Sequence, residues 1–278
     1  MSAMFCVFHG AEGLKNISRK VHLKALSLKK ALINCGYDIP NHPIFDTVRV
    51  NSVDADKLIA HLLKAGYNIR KLDQNSVCLS FNEALSSEDL DKIISAFTDF
   101  INSNPGDYHP SDVDIPDKLK RQSDFLNHPI FKMHRSETSF MRYLYKLQMK
   151  DIGLQNSMIP LGSCTMKLNS AAEMIPVSWP EFNSIHPFAP LDQAKGYQML
   201  FESLSHWLKE VTGFDAISLQ PNAGAQGEYS GLLAIKKYLE NKGEKQRNIC
   251  LIPTSAHGTN PASAIMAGMK VCPYFSSN

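Results

Sequence analysis

The chain has 278 residues, 44% of them apolar and 20% charged, with a net charge of +2. That length allows one large or two ordinary domains, each with its own core, and the composition is that of a globular protein. The charge balance gives no bulk electrostatic case for nucleic acid or an anionic membrane as partner, and no apolar run approaches the length of a membrane span.

Met1–Phe8 is apolar but has no basic leader, so neither a signal nor a transit peptide is expected; packing is the simplest use for Met4–Gly10. Glu12 to Cys35 reads as a helix, with Leu14, Ile17, Val21, Leu28 and Leu32 near one stripe and Gly36 as its stop. Pro40 and Pro43 interrupt the chain. An alternating unit follows: a strand over Phe45–Val50, then a helix capped by Ser52 with Leu58, Ile59, Leu62 and Leu63 on its apolar side. Strands over Tyr67–Leu72 and Ser76–Phe81 come next, and then a helix opened by Ser86 and Asp89 in the manner of a capping box. The order β-α-β-β-α predicts a small α+β layer. Residues 104–116, rich in Pro, Asp, Ser and Gly, read as a linker.

Ser136–Met149 has helical spacing. The stretch holding Pro176, Pro180, Pro187 and Pro190 is expected to run as an ordered arm with little regular structure. Asp192–Val211 reads as a helix. Beyond it the pattern alternates: strand Ala216–Leu219, helix Ala225–Asn241, strand Asn248–Ile252, helix Ala262–Gly268. Single helices between strands predict parallel pairing.

Cys6, Cys35, Cys78, Cys164, Cys250 and Cys272 form no CxxC pair and have no zinc-like spacing to histidine. A reducing compartment is the simpler expectation, and no metal site is expected.

Four segments could carry chemistry. Gln220–Glu228 joins a strand to a helix through small residues, which lets backbone N–H groups approach an anion at a helix N-terminus. The same residues would also serve a tight turn with no ligand. The P-loop and GxGxxG patterns are both absent. Ser255–Pro261 follows the next strand, with Asn260 and Pro261 as a helix start and His257 projecting near the first turn. A lone histidine is more often satisfied by ordinary hydrogen bonds, yet open α/β sheets bind ligands at this edge. Pro160–Lys167 offers hydroxyls, Cys164 and an amine on a glycine-containing loop. Trp179–Phe182 with His186–Phe188 is aromatic and proline-rich and suits packing.

Read together, these strings resemble the glycine cleavage system P-protein family. MIPLGSCTMKLN (Met158–Asn169), HPFAP (His186–Pro190), QPNAGAQGEYSGL (Gln220–Leu232) and LIPTSAHGTNPASA (Leu251–Ala264) stand in family order. Looser matches are FDT at Phe45–Thr47, SFNEALSSED at Ser80–Asp89 and HPIFKMHRSET at His128–Thr138, so the likeness runs from Met4 to Val271.

The resemblance implies an incomplete α/β chain of the aspartate-aminotransferase type (fold type I). On that mapping residues 1–39 are the helical tail of a first-half large domain and 40–115 a small α+β domain. Residues 116–195 become a linker and arm, and 196–278 the start of a second cofactor-binding domain.

It also implies an oxidoreductase that uses pyridoxal 5′-phosphate to decarboxylate glycine and passes the aminomethyl group to the lipoyl arm of the H-protein. Family members act as homodimers, mitochondrial in eukaryotes and cytoplasmic in bacteria. Gly224, Ala225 and Gln226 would hold the cofactor phosphate, His257 would stack on its ring, and Thr259 and Asn260 would line the pocket. Ser163 and Thr165 would bind the glycine carboxylate. The family's cofactor-bearing lysine, in a His-Lys pair, has no match here. The chain alone is therefore expected to be inactive, and its alternative role is that of a non-catalytic fragment associating with the full-length protein. The residues after Val271, with Pro273 among them, do not continue the family pattern and read as an unrelated ending.

Overall fold

A computed structural model of the chain describes residues 1–151 and 170–275. They fall into two compact units, Met1–Ser170 and Ala171–Asn278. Both helices and strands occur, so the chain is mixed α/β. Among the described residues no helix is long and apolar enough to cross a membrane.

The first unit opens with α1 (Ser2–Asn34). It is longer than the sequence pattern suggests because it takes in Ser2–Phe8 across a kink at Gly10, whose φ is 61°. A Cβ at Gly10 would lie 2.7 Å from the Phe131 carbonyl oxygen and collide with the Arg135 guanidinium, so only glycine fits this close approach. Val21, Ala25, Leu28 and Leu32 repeat at helical spacing and are buried. The helix ends where Gly36 turns left-handed at φ 89° and the Tyr37 N–H reaches back 3.0 Å to the Leu32 carbonyl.

The α+β layer comprises β1 (Thr47–Val50), α2 (Ala55–Lys64), β2 (Arg70–Asp73), β3 (Ser76–Ser80) and α3 (Ser87–Ile101). Its sheet has the order β1-β3-β2, both pairs antiparallel, with Val48 opposite Leu79 and Val50 opposite Val77. The cap of α2 is Asp54, whose carboxylate accepts from the Lys57 N–H at 3.1 Å. Ser52, expected in that role, instead turns left-handed and donates to Asp38 at 2.6 Å. Ser86 caps α3 by accepting from the Asp89 N–H at 3.0 Å, while its hydroxyl donates to the Asp89 carboxylate at 2.6 Å.

One hydrophobic core runs through α1, β1, α2, β3 and α3, with Leu28, Leu32, Val48, Leu58, Leu62 and Phe97 fully buried. Residues 1–39 and 40–115 thus share a single core. Beyond the linker, α4 (Ile130–Met133) packs on α1, and α5 (Glu137–Gln148) is capped by Ser136. Phe140 of α5 meets Phe8 edge-on at 5.4 Å, which gives the apolar N-terminal stretch its packing partner.

The second unit begins with short turns, α6 (Ala171–Met174) and α7 (Pro180–Asn183), across the proline-rich arm. Helix α8 (Lys195–Thr212) follows and ends at the left-handed Gly213. Then come α9 (Gly224–Asn241), β4 (Ile249–Pro253), α10 (Thr259–Met266) and β5 (Lys270–Tyr274). β4 and β5 pair in parallel; the strand expected over 248–252 is there, but its partner is 270–274, where no strand is expected.

Three details depart from expectation. Residues 216–219 are not a strand, because no ladder partner lies beside them among the described residues and strand propensity does not hold extended backbone by itself. Helix α10 starts at Thr259 with Gly258 as its cap position, so Asn260 is already inside the helix. Pro273 is accommodated in β5, opposite Ile252. The Lys270 N–H bonds Asn248 and the Tyr274 carbonyl accepts from Thr254. In a parallel ladder, bonding toward one neighbour alternates residue by residue, so Pro273's missing donor faces away from β4.

Candidate active site

The turns around Gly224 and His257 lie side by side in the second unit. Helix α9 begins at Gly224 with no side-chain cap from Ala223, and its first internal bond runs from the Gly227 N–H to the Ala223 carbonyl at 3.0 Å. The N–H groups of Gly224, Ala225 and Gln226 therefore stand at the positive end of an 18-residue helix without intrahelical partners. A Cβ at Gly224 or Gly227 would meet nothing within 4 Å, so the approach to these amides is open. The Gln226 side chain does not point outward as a ligand. Its oxygen accepts from the Asn222 N–H at 2.8 Å and closes the loop onto the helix. What Gln226 offers an anion is its backbone amide.

The second turn is held by its own histidine. The Thr259 N–H lies 3.2 Å from His257 Nδ1, and the Thr259 hydroxyl lies 3.0 Å from the same nitrogen. That bond replaces the cap expected from Asn260.

Glu228, one turn into α9, joins the two. Its carboxylate accepts from the Thr259 hydroxyl at 3.2 Å and the Ser263 hydroxyl at 3.5 Å, and the Ser263 hydroxyl also lies 3.5 Å from the Ala225 carbonyl. Ser263 and Ala264 are buried where α9 meets α10. Behind them Lys236 donates to the Ala267 carbonyl at 2.9 Å, closing the far end of α10. Neither Glu228 nor Ser263 stands out as a functional residue in the sequence. The available signal is spacing, since Glu228 falls four residues after Gly224 and so on the same helix face.

Of the candidate residues, Gly224, Ala225, Gln226, His257, Thr259 and Asn260 are brought into one neighbourhood, with His257 exposed. Ser163 and Thr165 lie outside the described residues, as do Cys164 and Lys167. The arrangement offers aligned amides for an anion on one turn and an aromatic ring on the other, the two helices being joined by the Thr259 and Ser263 hydroxyls. Among the described residues no group of three or more His, Cys, Asp or Glu is placed to hold a metal.

A polar groove of about 1030 Å³ belongs to the first unit and contains none of these residues. Its carboxylates are already engaged. A hydrogen bond from Ser76 holds Asp73 below the usual carboxylate range, and one from Lys57 does the same for Asp54.

Residues 1–97 match the family model described as "Glycine cleavage system P-protein". The chain is 49% identical over 280 residues to "Glycine dehydrogenase (decarboxylating), mitochondrial" of Dictyostelium discoideum, covering 98% of this chain and 28% of that protein. It is 48% identical to glycine dehydrogenase (decarboxylating) of Thermosynechococcus vestitus and 51% identical to that of Stenotrophomonas maltophilia, again over 98% of this chain and 28% of each relative. Among solved structures, an ornithine aminotransferase from Plasmodium yoelii matches 33% of this chain and 25% of its own, at 16% identity and a TM-score of 0.27. The chain spans under a third of the length of these curated relatives. Nearly all of its residues are thus similar to a segment of these glycine dehydrogenases (decarboxylating), and its first 97 residues match the glycine cleavage system P-protein family model.

Proposed function

We propose that this chain carries the phosphate- and ring-facing side of a pyridoxal 5′-phosphate site in a glycine-decarboxylating P-protein with the aspartate-aminotransferase type of fold. The observation that supports it most is the pairing of an uncapped, open helix N-terminus at Gly224 with the His257 turn, tied through Glu228. An anion and an attached ring need those two surfaces next to each other.

On this reading the amides of Gly224, Ala225 and Gln226 bind the phosphate, and the helix dipole offsets its charge. His257 lies against the ring, and Thr259 and Asn260 line its edge. Gln226 keeps the loop closed so that the amides stay aligned. Ser163 and Thr165 would orient the glycine carboxylate. When bound, the cofactor supplies an electron sink for the bond to the carboxyl carbon. The aminomethyl group then goes to the lipoyl arm of the H-protein. The full-length protein works as a homodimer, in the mitochondrion of a eukaryote or the cytoplasm of a bacterium. The mapping of residues 1–39, 40–115, 116–195 and 196–278 onto the two halves of the family fold belongs to the same proposal.

The sequence holds no His-Lys pair, so the test is non-covalent binding. Pyridoxal phosphate titrated into the chain is expected to shift its phosphorus NMR signal saturably. Ala225→Asp, which sets a carboxylate at the phosphate position, should weaken binding by about tenfold or more. Equal affinity of wild type and variant, or no saturable binding at all, would remove the proposal.

A further inference from the structure

A fastening in the first unit stands apart from the candidate site. His22 lies on α1 and is only 1% exposed. Its Nδ1 is 2.8 Å from the Phe45 carbonyl oxygen, which can only accept, so Nδ1 carries the proton. Its Nε2 accepts from the Asp114 backbone N–H at 3.1 Å. Both ring nitrogens are thus used, and the ring is the neutral tautomer protonated on Nδ1. The ring also stacks on Phe45, at 5.7 Å between centroids and 9° between planes.

Asp114 ends a strap, residues 105–114, that lies along α1. Asn34 donates to the carbonyls of Pro105 and Asp107 at 2.7 and 3.2 Å. Lys30 reaches the Asp107 carboxylate at 3.1 Å and the His109 carbonyl at 3.3 Å. Arg19 pairs with Asp112 at 3.0 Å. The two ion pairs are mostly exposed, with side chains 42% to 76% accessible, and such pairs contribute little. The strap's buried fastening at its far end is His22.

We propose that His22 is an acid-sensitive clasp. Neutral, it ties Asp114 to α1. A proton added at Nε2 removes the acceptor and sets a donor against the Asp114 N–H, so the strap's far half leaves the helix. The charged and titratable groups on the elements around the ring include Lys15, Arg19, Lys20 and Lys24 on α1, Asp46 beside Phe45, and Asp107, His109, Asp112 and Asp114 on the strap. Among the described residues none of them forms an ion pair with His22, and Arg19 is already paired with Asp112.

The test is NMR on the whole chain. At about pH 8, long-range proton–nitrogen spectra should show the proton on Nδ1 of His22. When the pH is lowered from about 8 to about 5, the exchange protection of the Asp114 amide should fall about tenfold. The Leu79 amide in the sheet should keep its protection. His22→Gln, which can donate and accept without titrating in this span, should remove the pH dependence at Asp114. A proton on Nε2 at high pH, or Asp114 protection that follows the sheet throughout, overturns the proposal. If His22→Gln fails to fold, the wild-type measurements decide.

Discussion

The first unit depends on single polar atoms placed inside its core. The Tyr37 hydroxyl donates 2.7 Å to the Phe97 carbonyl, and the two rings meet edge-on at 5.6 Å. Burial, and then the neighbouring Cys35, push the phenol well above the usual tyrosine range, so it stays a donor at any ordinary pH. Tyr37→Phe should keep the ring contact and lose the bond. Because the Phe97 carbonyl lies within α3, the expected cost is about 1 kcal/mol, read from urea unfolding. An unchanged midpoint would mean that the hydroxyl contributes nothing beyond its solvation. Leu28, Leu58 and Leu62 were legible as core from helical spacing alone. Tyr37 was not, since it follows the helix stop and only the folded core supplies its partner 60 residues away.

At the scale of elements, caps and turn residues set the boundaries. Ser86 satisfies the first turn of α3, and Ser86→Ala should destabilise the unit by about 1 kcal/mol in the same unfolding assay. The Ser86 hydroxyl also holds the Asp89 carboxylate below its ordinary value of 3.8. A lowered folded value means that the contribution is complete above 3.8 and is lost as pH falls below it. Asp54, held down by Lys57 at the start of α2, acts in the same sense. Acid unfolding should therefore be less steep in Asp89→Asn than in wild type, as circular dichroism would record; identical acid transitions would exclude this coupling. The capping pair at Ser86 was legible because it spans three residues. Choosing Asp54 over Ser52 required knowing that Ser52 turns left-handed toward Asp38, a contact that local pattern does not contain.

For the whole molecule, the contrast lies in how much apolar surface each unit covers. In the first unit Leu28, Leu32, Val48, Leu58 and Phe97 are completely buried. Among the described residues of the second, Ile252, Ser263, Ala264 and Ala267 alone are buried, while Met199, Trp207 and Val211 on α8 are 67%, 63% and 84% exposed. Burial of apolar area is the main favourable term in folding, so the units should differ in resistance to opening. Limited proteolysis is expected to cut first between residues 171 and 223 and to leave a resistant product spanning α1 to α3. Uniform cleavage, or a resistant product from the second unit, would contradict this reading.

The amino-acid sequence by itself determined the helix stripes, the glycine stops, the strand at 248–252, and the two motif turns that carry the family likeness. These depend on backbone rules acting over three or four residues, or on long strings that chance does not reproduce. Only the tertiary structure decided that α1 shares a core with the α+β layer, that Glu228 ties the Gly224 and His257 turns, and that residues 216–219 stay out of a sheet. The Thr259–Glu228 and Asp114–His22 bonds join residues 31 and 92 positions apart. Packing chooses such partners, because a side chain's local preferences hold no information about which distant segment will lie against it.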